Sequence, residues 1–461
     1  MSDIIRILSV KLHNLKNVGR GTVNMPDYAE GGIYNEGSEI LGIYGQNGSG
    51  KTAVIEALEF MKDLAASKPL PKDAMNYIQG NFDTALIEIL FFMFTDREYI
   101  VKYAYTIGRD IRINERGERE EVPVVVQEKL SYSVGLDSPL TLLIDARADA
   151  KTPFLPAAGV DEATGADPDK VIDITVIKRV AAKEFKSFIF SNDMAPFWYK
   201  ACEKNVMWGL IPILKDYITK NVFVINQGHS GIISLDFAMP FSITGETERI
   251  DMGQVYVSLS EPSVMEKEKF STFEGIINTV NDVAGTLIPG MKLFVKQYGP
   301  QTTKDGKDGI RFELLSSRGG VNFPLRYESE GIKKIVSMLN ILALMYNEPS
   351  VFVAIDELDA GVFEYLLGEL LKVIDETGRG QLLFTSHNLR PLEMLGERSI
   401  IFTTANPDKR YVRINETDEN LNLREHYIRA IKLGGEEEKL YSGTVKSDIR
   451  RALFRAGDDK K

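Results

Sequence analysis

Apolar and polar residues follow two patterns near the start of the chain, one typical of strands and one typical of a helix. Ile4–Leu12 alternates as a strand does, and Glu39–Tyr44 is a second short, β-prone apolar run. A glycine-rich stretch, Gly45–Thr52, follows that run directly. From Ala53 to Met61 the apolar residues recur at helical spacing. The pattern therefore predicts a strand, a glycine-rich loop and a helix in succession.

Three further runs have the composition and spacing of strands, namely Thr84–Phe94, Glu98–Ile107 and Glu121–Gln127. The first two flank a short polar turn, Asp96–Arg97, and we expect them to pair with each other. Together the three runs predict an antiparallel sheet attached to the part of the chain that carries the glycine-rich loop.

The middle of the chain has a different composition. Residues 145–169 are rich in Ala, Pro, Gly and Asp, which predicts a linker. Helical spacing returns in the segments 178–190, 196–220 and 270–287. Residues 299–309 predict a mobile turn before a strand at Ile310–Leu315. The sequence has no internal repeat and no sustained heptad pattern, so we do not expect a long coiled-coil arm.

The late part of the chain alternates between helix and strand. The predicted helices are Ser329–Met345 and Phe363–Ile374, and the predicted strands are Val351–Ile355 and Gln381–Thr385. Such alternation is typical of a parallel sheet. The predicted fold class is therefore α/β, with a mixed sheet flanked by helices and an additional antiparallel sheet.

Length and composition place the chain among ordinary globular proteins. It has 461 residues, of which 44% are apolar and 26% charged, so it can bury a large core and is expected to form two or three modules. The longest apolar runs are far shorter than the roughly 20 residues of a membrane span. No cationic, apolar leader is recognisable after Ser2–Asp3. We therefore expect a cytoplasmic protein without membrane contact.

The charge balance limits the nucleic-acid hypotheses. A net charge of −11 disfavours a surface that follows a phosphate backbone throughout, although it permits a local basic patch. One candidate patch lies on a predicted amphipathic helix, with Lys446, Arg450, Arg451 and Arg455. A solvated helix face is the simpler interpretation. The single cysteine, Cys202, excludes an internal disulfide and a cysteine metal cluster, and we expect it to be a small buried residue.

The glycine-rich stretch has the form G-x-x-x-x-G-K-[ST], which is the phosphate-binding loop of P-loop proteins. Its glycines let backbone amides turn toward phosphate oxygens, Lys51 reaches the outer phosphates of ATP, and the Thr52 hydroxyl is a ligand for Mg²⁺. The helix that follows adds the positive end of its dipole. The alternative is a glycine-rich turn before a helix, but the predicted strand before the loop and the helix after it favour phosphate binding. The predicted ATP-binding residues are Gly45, Gln46, Asn47, Gly48, Ser49, Gly50, Lys51 and Thr52.

The apolar strand at 351–355 ends in an acidic pair. Asp356 is placed to hold Mg²⁺ through water, and Glu357 to orient and polarise the water that attacks the terminal phosphate. An acidic helix cap would explain Asp356 alone. Two further residues match the same chemistry: Asp359, just after the pair, and His387, after the next strand, where it can contact the terminal phosphate. A structural role is the alternative for this histidine.

Taken in order, these motifs resemble those of the ATP-binding cassette (ABC) superfamily, in the branch that includes the structural-maintenance-of-chromosomes (SMC), Rad50, RecF and overcoming-lysogenization-defect (OLD) ATPases. The resemblance implies a signature at a helix start that caps the nucleotide of a partner subunit. Ser329 and Gly331 fit that signature, although the sequence retains only these two residues of the fuller LSGGQ form, and Ser329 also fits a plain helix cap. The resemblance also implies a glutamine that senses Mg²⁺, for which Gln127 is the candidate and Glu128 the alternative.

Lys51 and Asp356 are about 300 residues apart, more than a compact nucleotide-binding fold needs, so we expect a module inserted between two halves of one head. The predicted division is an N-terminal ATPase lobe at 1–148, a mainly helical insertion at 149–300 and a C-terminal ATPase lobe at 301–461. With the segment Asn420–Glu425 and the following Tyr427–Ile428, this organisation looks most like the AAA15/AbiLi-type and OLD-like ATPases of bacterial anti-phage and abortive-infection systems.

That resemblance implies a head-to-tail homodimer, possible higher oligomers, and a separate effector such as a Toprim or HNH nuclease. Only about 75 residues follow His387, fewer than a typical domain, and they contain no convincing nuclease acid cluster, since Glu436–Glu438 and Asp458–Asp459 are simpler as solvated charges. Two alternatives remain: a DNA-clamping ATPase of the RecF or SMC kind, and a nucleotide-dependent scaffold without catalysis, which Glu357 disfavours.

Overall fold

The computed structural model describes residues 3–34, 36–113, 116–226, 238–242, 254–258, 261–413, 422–433, 438–441, 443 and 446–458. The strands are β1 (Ile4–Leu15), β2 (Val18–Asn24), β3 (Glu39–Tyr44), β4 (Thr84–Phe94), β5 (Glu98–Ile113), β6 (Arg119–Val134), β7 (Thr141–Arg147), β8 (Val222–Ile225), β9 (Ala238–Ser242), β10 (Gln254–Ser258), β11 (Ser263–Glu266), β12 (Lys292–Thr302), β13 (Asp308–Arg318), β14 (Val321–Pro324), β15 (Phe352–Ile355), β16 (Gln381–Thr385), β17 (Ile400–Thr403) and β18 (Tyr411–Val412). The helices are α1 (Pro26–Ala29), α2 (Lys51–Ala65), α3 (Ala157–Thr164), α4 (Pro168–Lys183), α5 (Ala195–Cys202), α6 (Leu210–Asn221), α7 (Lys267–Leu287), α8 (Glu330–Asn347), α9 (Glu364–Thr377), α10 (Pro391–Met394), α11 (Leu423–Leu433) and α12 (Lys446–Asp458).

A six-stranded sheet forms the centre of the molecule, in the order β18-β17-β3-β16-β15-β8. All its neighbouring strands pair in parallel except β17 and β18. Every residue of β3, β8, β15, β16 and β17 is buried, as expected for a parallel sheet covered on both faces. The predicted alternation of helix and strand in the late part of the chain is confirmed.

The second sheet is antiparallel, in the order β2-β1-β4-β5-β6-β7. It contains the three runs that the sequence assigned to strands, and β5 and β6 extend further than predicted. One hydrophobic core joins the two sheets, because α2 packs between them with Val54, Leu58 and Met61 fully buried. Helices α8, α9 and α11 cover the other face of the parallel sheet.

Helices α3 to α6 belong to the same core as α2. Their centre is an aromatic cluster in which Phe154 contacts Trp198 and Trp208, whose rings stack with centroids 5.2 Å apart. The prediction of a linker at 145–169 is therefore wrong in part, because the end of β7 and all of α3 lie within it and Val160 and Ala163 are buried. The helix predicted at 178–190 ends at Lys183, and the one predicted at 196–220 is two helices with a 3₁₀ turn between them.

A third core lies between α7, strands β11 to β14 and the outer side of α8. Strand β12 continues through Gly299 to Thr302, and β13 starts at Asp308, so the turn predicted at 299–309 is shorter and part of a hairpin. Strand β8 lies within the segment predicted as a helical insertion, yet it pairs with β15 in the central sheet. The division at residues 148 and 300 remains a proposal.

The predicted α/β class, with a mixed sheet flanked by helices and an additional antiparallel sheet, is confirmed. Over the described ranges no helix is both long and apolar enough to cross a bilayer. Cys202 is half-buried and packs against the main core. Parts of three polar segments discussed above, at residues 420–421, 436–437 and 459, lie outside the described residues.

Candidate nucleotide-binding site

The glycine-rich loop connects the end of β3 to the start of α2, as the sequence predicted. Gly45 lies at a φ of 151°, and a Cβ there would be 1.7 Å from the Thr403 hydroxyl oxygen. A larger residue at this position would therefore push β17 away from the loop. The position requires glycine for both conformation and space.

Side chains from distant parts of the sequence hold the loop. The Asn17 amide donates to the Gly48 carbonyl at 2.6 Å, and the Tyr411 hydroxyl donates to the Gly50 carbonyl at 2.7 Å. The Ser49 hydroxyl donates to the Gln46 carbonyl at 2.6 Å. Sequence reasoning missed Asn17 and Tyr411, because nothing in the local pattern around either residue indicates a partner in the loop.

Lys51 is buried, and its ammonium lies inside the loop. Nζ donates to the Gly45 carbonyl at 2.9 Å and to the Gln46 carbonyl at 3.1 Å. Burial lowers the pKa of Lys51, while the nearby carboxylates of Asp356, Glu357 and Asp359 act in the opposite direction. An ammonium held this way can exchange the two carbonyls for phosphate oxygens, which would offset its desolvation.

Thr52 and Asp356 meet at the edge of the parallel sheet. The Thr52 hydroxyl lies 3.3 Å from Asp356 Oδ1, which also accepts a 2.5 Å hydrogen bond from the Thr385 hydroxyl. Asp356 is 1% exposed, and its second oxygen, Oδ2, is buried without a hydrogen-bond partner among the described residues. A buried, unpartnered carboxylate oxygen beside a hydroxyl suits a small oxygen-preferring cation.

The donor set fits Mg²⁺, which usually binds proteins through one or two protein oxygens and completes its octahedron with water and substrate phosphates. No cluster of three or more His, Cys, Asp or Glu side chains suited to a metal occurs in the described part of the chain. Thr52 and Asp356 would therefore hold the ion together with phosphate oxygens. When bound, it would neutralise phosphate charge during transfer.

Glu357 has an unusual backbone conformation for a residue that is not glycine, with φ at 49°. Its N–H donates to the Thr385 hydroxyl at 2.7 Å, and its carbonyl accepts a hydrogen bond from the Lys334 ammonium. The next amide, of Leu358, donates to the Thr385 carbonyl at 3.0 Å. A left-handed residue held from both sides is typical of a strained functional turn.

The residues that the sequence assigned to catalysis line one cleft beside the loop. This cleft, which we call the phosphate cleft, has a volume of about 290 Å³. Its lining includes Asn47, Gly48, Gly50, Lys51, Thr52, Asp356, Glu357 and His387, together with Lys16 and Asn17. His387 is exposed at its edge, and its backbone N–H donates to the Asp359 carboxylate at 3.2 Å. The structure thus brings together residues that are far apart in the sequence.

Gln127 is placed elsewhere. It lies in β6 of the antiparallel sheet, where its amide donates to Asp145 at 2.6 Å, and it is not among the described residues that line the phosphate cleft. The alternative, Glu128, is fully buried and accepts hydrogen bonds from the Tyr103 and Ser187 hydroxyls and the Phe188 N–H at 2.6–2.7 Å. Glu128 therefore anchors the segment after α4 to the sheet.

The strand that borders β15 is β8, and sequence reasoning did not assign it. The Ile225 carbonyl accepts the Asp356 N–H at 2.8 Å, so the end of β8 lies directly beside the acidic pair. Asn226 follows and donates to Glu59 on α2. The run Val222–Ile225 is apolar and β-branched, which is the signal that could have identified it.

Ser329 and Gly331 lie outside the phosphate cleft of their own chain, as far as the described residues show. Ser329 is exposed and caps α8, accepting the Ile332 N–H at 3.4 Å, so the simple cap interpretation accounts for its local geometry. Gly331 contacts the turn after β15: a Cβ there would lie 1.8 Å from the Gly361 carbonyl oxygen.

Comparison with known families gives one match. Residues 40–141 match the model of a family described as "AAA domain, putative AbiEii toxin, Type IV TA system". The matched segment includes the phosphate-binding loop and α2 but stops well before Asp356, and it spans less than a quarter of the chain. No curated protein matches the chain.

The solved structures that are similar to this chain over 89% of its length include three SMC heads. One is an Smc head bound to the C-winged helix domain of ScpA, with 15% identity, 98% of that chain covered and a TM-score of 0.42. Another is an SMC head domain from Thermotoga maritima, with 14% identity, 100% of that chain covered and a TM-score of 0.37. The third is an Smc head with an extended coiled coil, bound to the C-terminal domain of ScpA and derived from Pyrococcus furiosus, with 13% identity, 97% of that chain covered and a TM-score of 0.38. At these identities the likeness says nothing of what this chain binds. The family match and the loop geometry agree on a P-loop at Gly45–Thr52.

Proposed function

We propose that this protein binds ATP with Mg²⁺ and hydrolyses it. The observation that carries the proposal is the convergence of Lys51, Thr52, Asp356 and Glu357 on one cleft. Lys51 and the loop amides would bind the phosphates, and Glu357 would accept a proton from the attacking water. His387, at the edge of the cleft, would contact the terminal phosphate.

We further propose that two heads close head-to-tail, so that Ser329 and Gly331 of one chain cap the ATP bound by the other. Two features support this. Ser329 is exposed, and it does not belong to the described lining of its own cleft. Gly361 lies next to Gly331, so it would approach the partner together with it.

The test combines a trapping variant with subunit mixing. Glu357→Gln should bind ATP, fail to hydrolyse it, and accumulate as a dimer in light scattering. Lys51→Ala and Ser329→Arg should each be inactive alone. Mixed in equal amounts they should regain about a quarter of the wild-type rate, because half the dimers then contain one intact site of two. Normal turnover by Glu357→Gln would refute the role of Glu357, and no recovery on mixing would refute the shared site.

For the biological role, we propose a switch in bacterial anti-phage defence, in which the ATP state controls a separate effector such as a Toprim or HNH nuclease or a toxin. The wording of the family match, which names an AbiEii toxin and a type IV toxin–antitoxin system, supports a role of this kind. We propose a cytoplasmic location and no membrane contact. Purification of Glu357→Gln with ATP from its host should recover a nuclease or toxin, and recovery of chromosome-associated proteins instead would argue against the defence role.

One observation favours a second function, a DNA-clamping ATPase. The cations of α12, Lys446, Arg450, Arg451 and Arg455, are all exposed, so they are available to phosphates. Stimulation of the ATPase by double-stranded DNA at moderate salt, lost when these four residues become Gln, would support this alternative. Indifference to DNA would leave the effector switch as the better account.

A further inference from the structure

The first turn of α8 is attached to the turn after β15 at two points. A Cβ at Gly331 would lie 1.8 Å from the Gly361 carbonyl oxygen, and Gly361 itself has a φ of 75°, which favours glycine. Three residues further along the same helix, the Lys334 ammonium donates to the Glu357 carbonyl. The helix that begins at Ser329 and the turn that carries Glu357 are therefore in direct contact.

Lys334 is only 6% exposed, which is unusual for a lysine. Its charge faces the carboxylates of Asp356, Glu357 and Asp359, which favour the ammonium form and oppose the effect of burial. Lys334 is not among the described residues that line the phosphate cleft. Its contact is with the backbone of Glu357.

The backbone of Glu357 needs such support. At a φ of 49° it occupies a region that residues with a Cβ rarely adopt. The Thr385 hydroxyl holds the N–H side of Glu357. On the carbonyl side, the Lys334 ammonium and the Ala360 N–H, at 3.0 Å, both donate to the same oxygen. Without Lys334, the peptide group after Glu357 would keep only its backbone partners, and the turn could relax toward an ordinary conformation that directs the carboxylate differently.

We infer that Lys334 is a positioning residue for hydrolysis: it holds the left-handed turn that directs Glu357 into the phosphate cleft, and it couples that turn to the helix bearing Ser329 and Gly331. This inference rests on the proposed role of Glu357. A partner nucleotide that displaces the start of α8 would thereby change the position of the catalytic carboxylate.

The test separates hydrolysis from ATP binding. Lys334→Met nearly keeps the length of the side chain and removes its charge and its hydrogen-bond donors. This variant should have a kcat about 10- to 100-fold lower than the wild type, because small displacements of a catalytic group have effects of that size. The Kd for ATP, measured with a fluorescent analogue, should change less than about twofold, since the loop and Lys51 are untouched. Lys334→Arg, which keeps a cationic donor, should recover most of the rate.

Lys333→Met is the matched control. Lys333 is the neighbouring buried lysine on α8, and its ammonium pairs with Glu330 at 2.9 Å. Its loss should leave kcat near the wild-type value, with thermal unfolding of both variants measured alongside. If Lys334→Met does not fold, Lys334→Gln provides the same test, because it also removes the charge.

A double variant distinguishes positioning from general support. If Lys334 acts through Glu357, adding Lys334→Met to Glu357→Gln should lower the residual single-turnover rate less than about twofold. The inference would be overturned if Lys334→Met lowered the rate by the same factor in the wild type and in Glu357→Gln, or if Lys334→Met alone had a normal kcat. If Glu357→Gln itself turned over normally, the proposed function would fail instead, so the two failures can be told apart.

Discussion

Replacing Thr385 by Val tests the geometry of the acidic pair most directly. Thr385 is completely buried at the end of β16, and its single hydroxyl makes two contacts there. It donates to Asp356 at 2.5 Å and accepts from the Glu357 N–H at 2.7 Å. Valine has nearly the same shape as threonine, so the substitution removes both hydrogen bonds and leaves almost no cavity.

The expected loss follows from these two contacts. A hydrogen bond to a charged group contributes about 1.5–3 kcal/mol, and a buried N–H left without an acceptor costs about 1–3 kcal/mol. Because the turn can relax in part, we expect a decrease of about 3 kcal/mol in the free energy of unfolding. The apparent Mg²⁺ affinity and the ATPase rate should fall about 10- to 100-fold, as is usual when a partner that orients a metal ligand is lost.

Urea unfolding and Mg²⁺ titrations of ATPase activity measure the two effects. Thr385→Ser is the matched control: it keeps the hydroxyl, loses one buried methyl group at a cost of about 1 kcal/mol, and should keep the Mg²⁺ dependence of the wild type. Should Thr385→Val and Thr385→Ser agree in stability and in Mg²⁺ dependence, the hydroxyl would not orient Asp356, and the proposed metal site would be incorrect in that respect.

Three further predictions follow from single positions. Gly331→Ala should lower the free energy of unfolding by about 1–3 kcal/mol in urea titrations, because its Cβ would overlap the Gly361 carbonyl. As a control, Gly275→Ala, in open space on α7, should raise the free energy of unfolding by about 0.5–1 kcal/mol. Glu128→Gln should lower the free energy of unfolding by about 2 kcal/mol, because its new NH₂ group would face hydrogen-bond donors, and kcat should change little. An unchanged melting temperature would contradict the predicted loss of stability. Burial raises the pKa of Asp63 to about 6, so the folded state binds its proton more tightly than the unfolded state does. Native stability is therefore lost as pH rises from about 4 to 6. At pH 7, Asp63→Asn should be more stable than wild type by about 1 kcal/mol, after allowance for solvent screening, and at pH 4 the two should be equally stable.

The elements of the central head were predictable because their signals are local. A buried parallel strand reads as a short apolar run, and β3 and β16 have the predicted bounds. The phosphate-binding loop and the acidic pair are also local, because a turn around phosphate needs glycines next to a lysine, and a strand delivers the residues that follow it to the sheet edge. Their assignment to one site was an inference, and the structure brings Thr52 and Asp356 within 3.3 Å.

Other features depend on contacts between residues far apart in the chain. Gln127 and Glu128 are adjacent and equally plausible in the sequence, yet the pairing of β6 with β7 directs Gln127 to Asp145 and buries Glu128 under the segment after α4. The linker predicted at 145–169 has the composition of a loop, but the aromatic cluster around Phe154 and Trp208 supplies the apolar contacts that make α3 stable there.

The sequence by itself determined that the chain has a P-loop, a strand ending in two carboxylates, and an α/β alternation around them, since each depends on residues within one turn or one strand. Only the tertiary structure decided that β8 lies beside β15, that Thr385 orients Asp356, and that Lys334 holds the backbone of Glu357. The physical reason is that a buried hydroxyl or ammonium has no pattern of its own in the sequence. Its partner is chosen by the packing of elements that are distant along the chain.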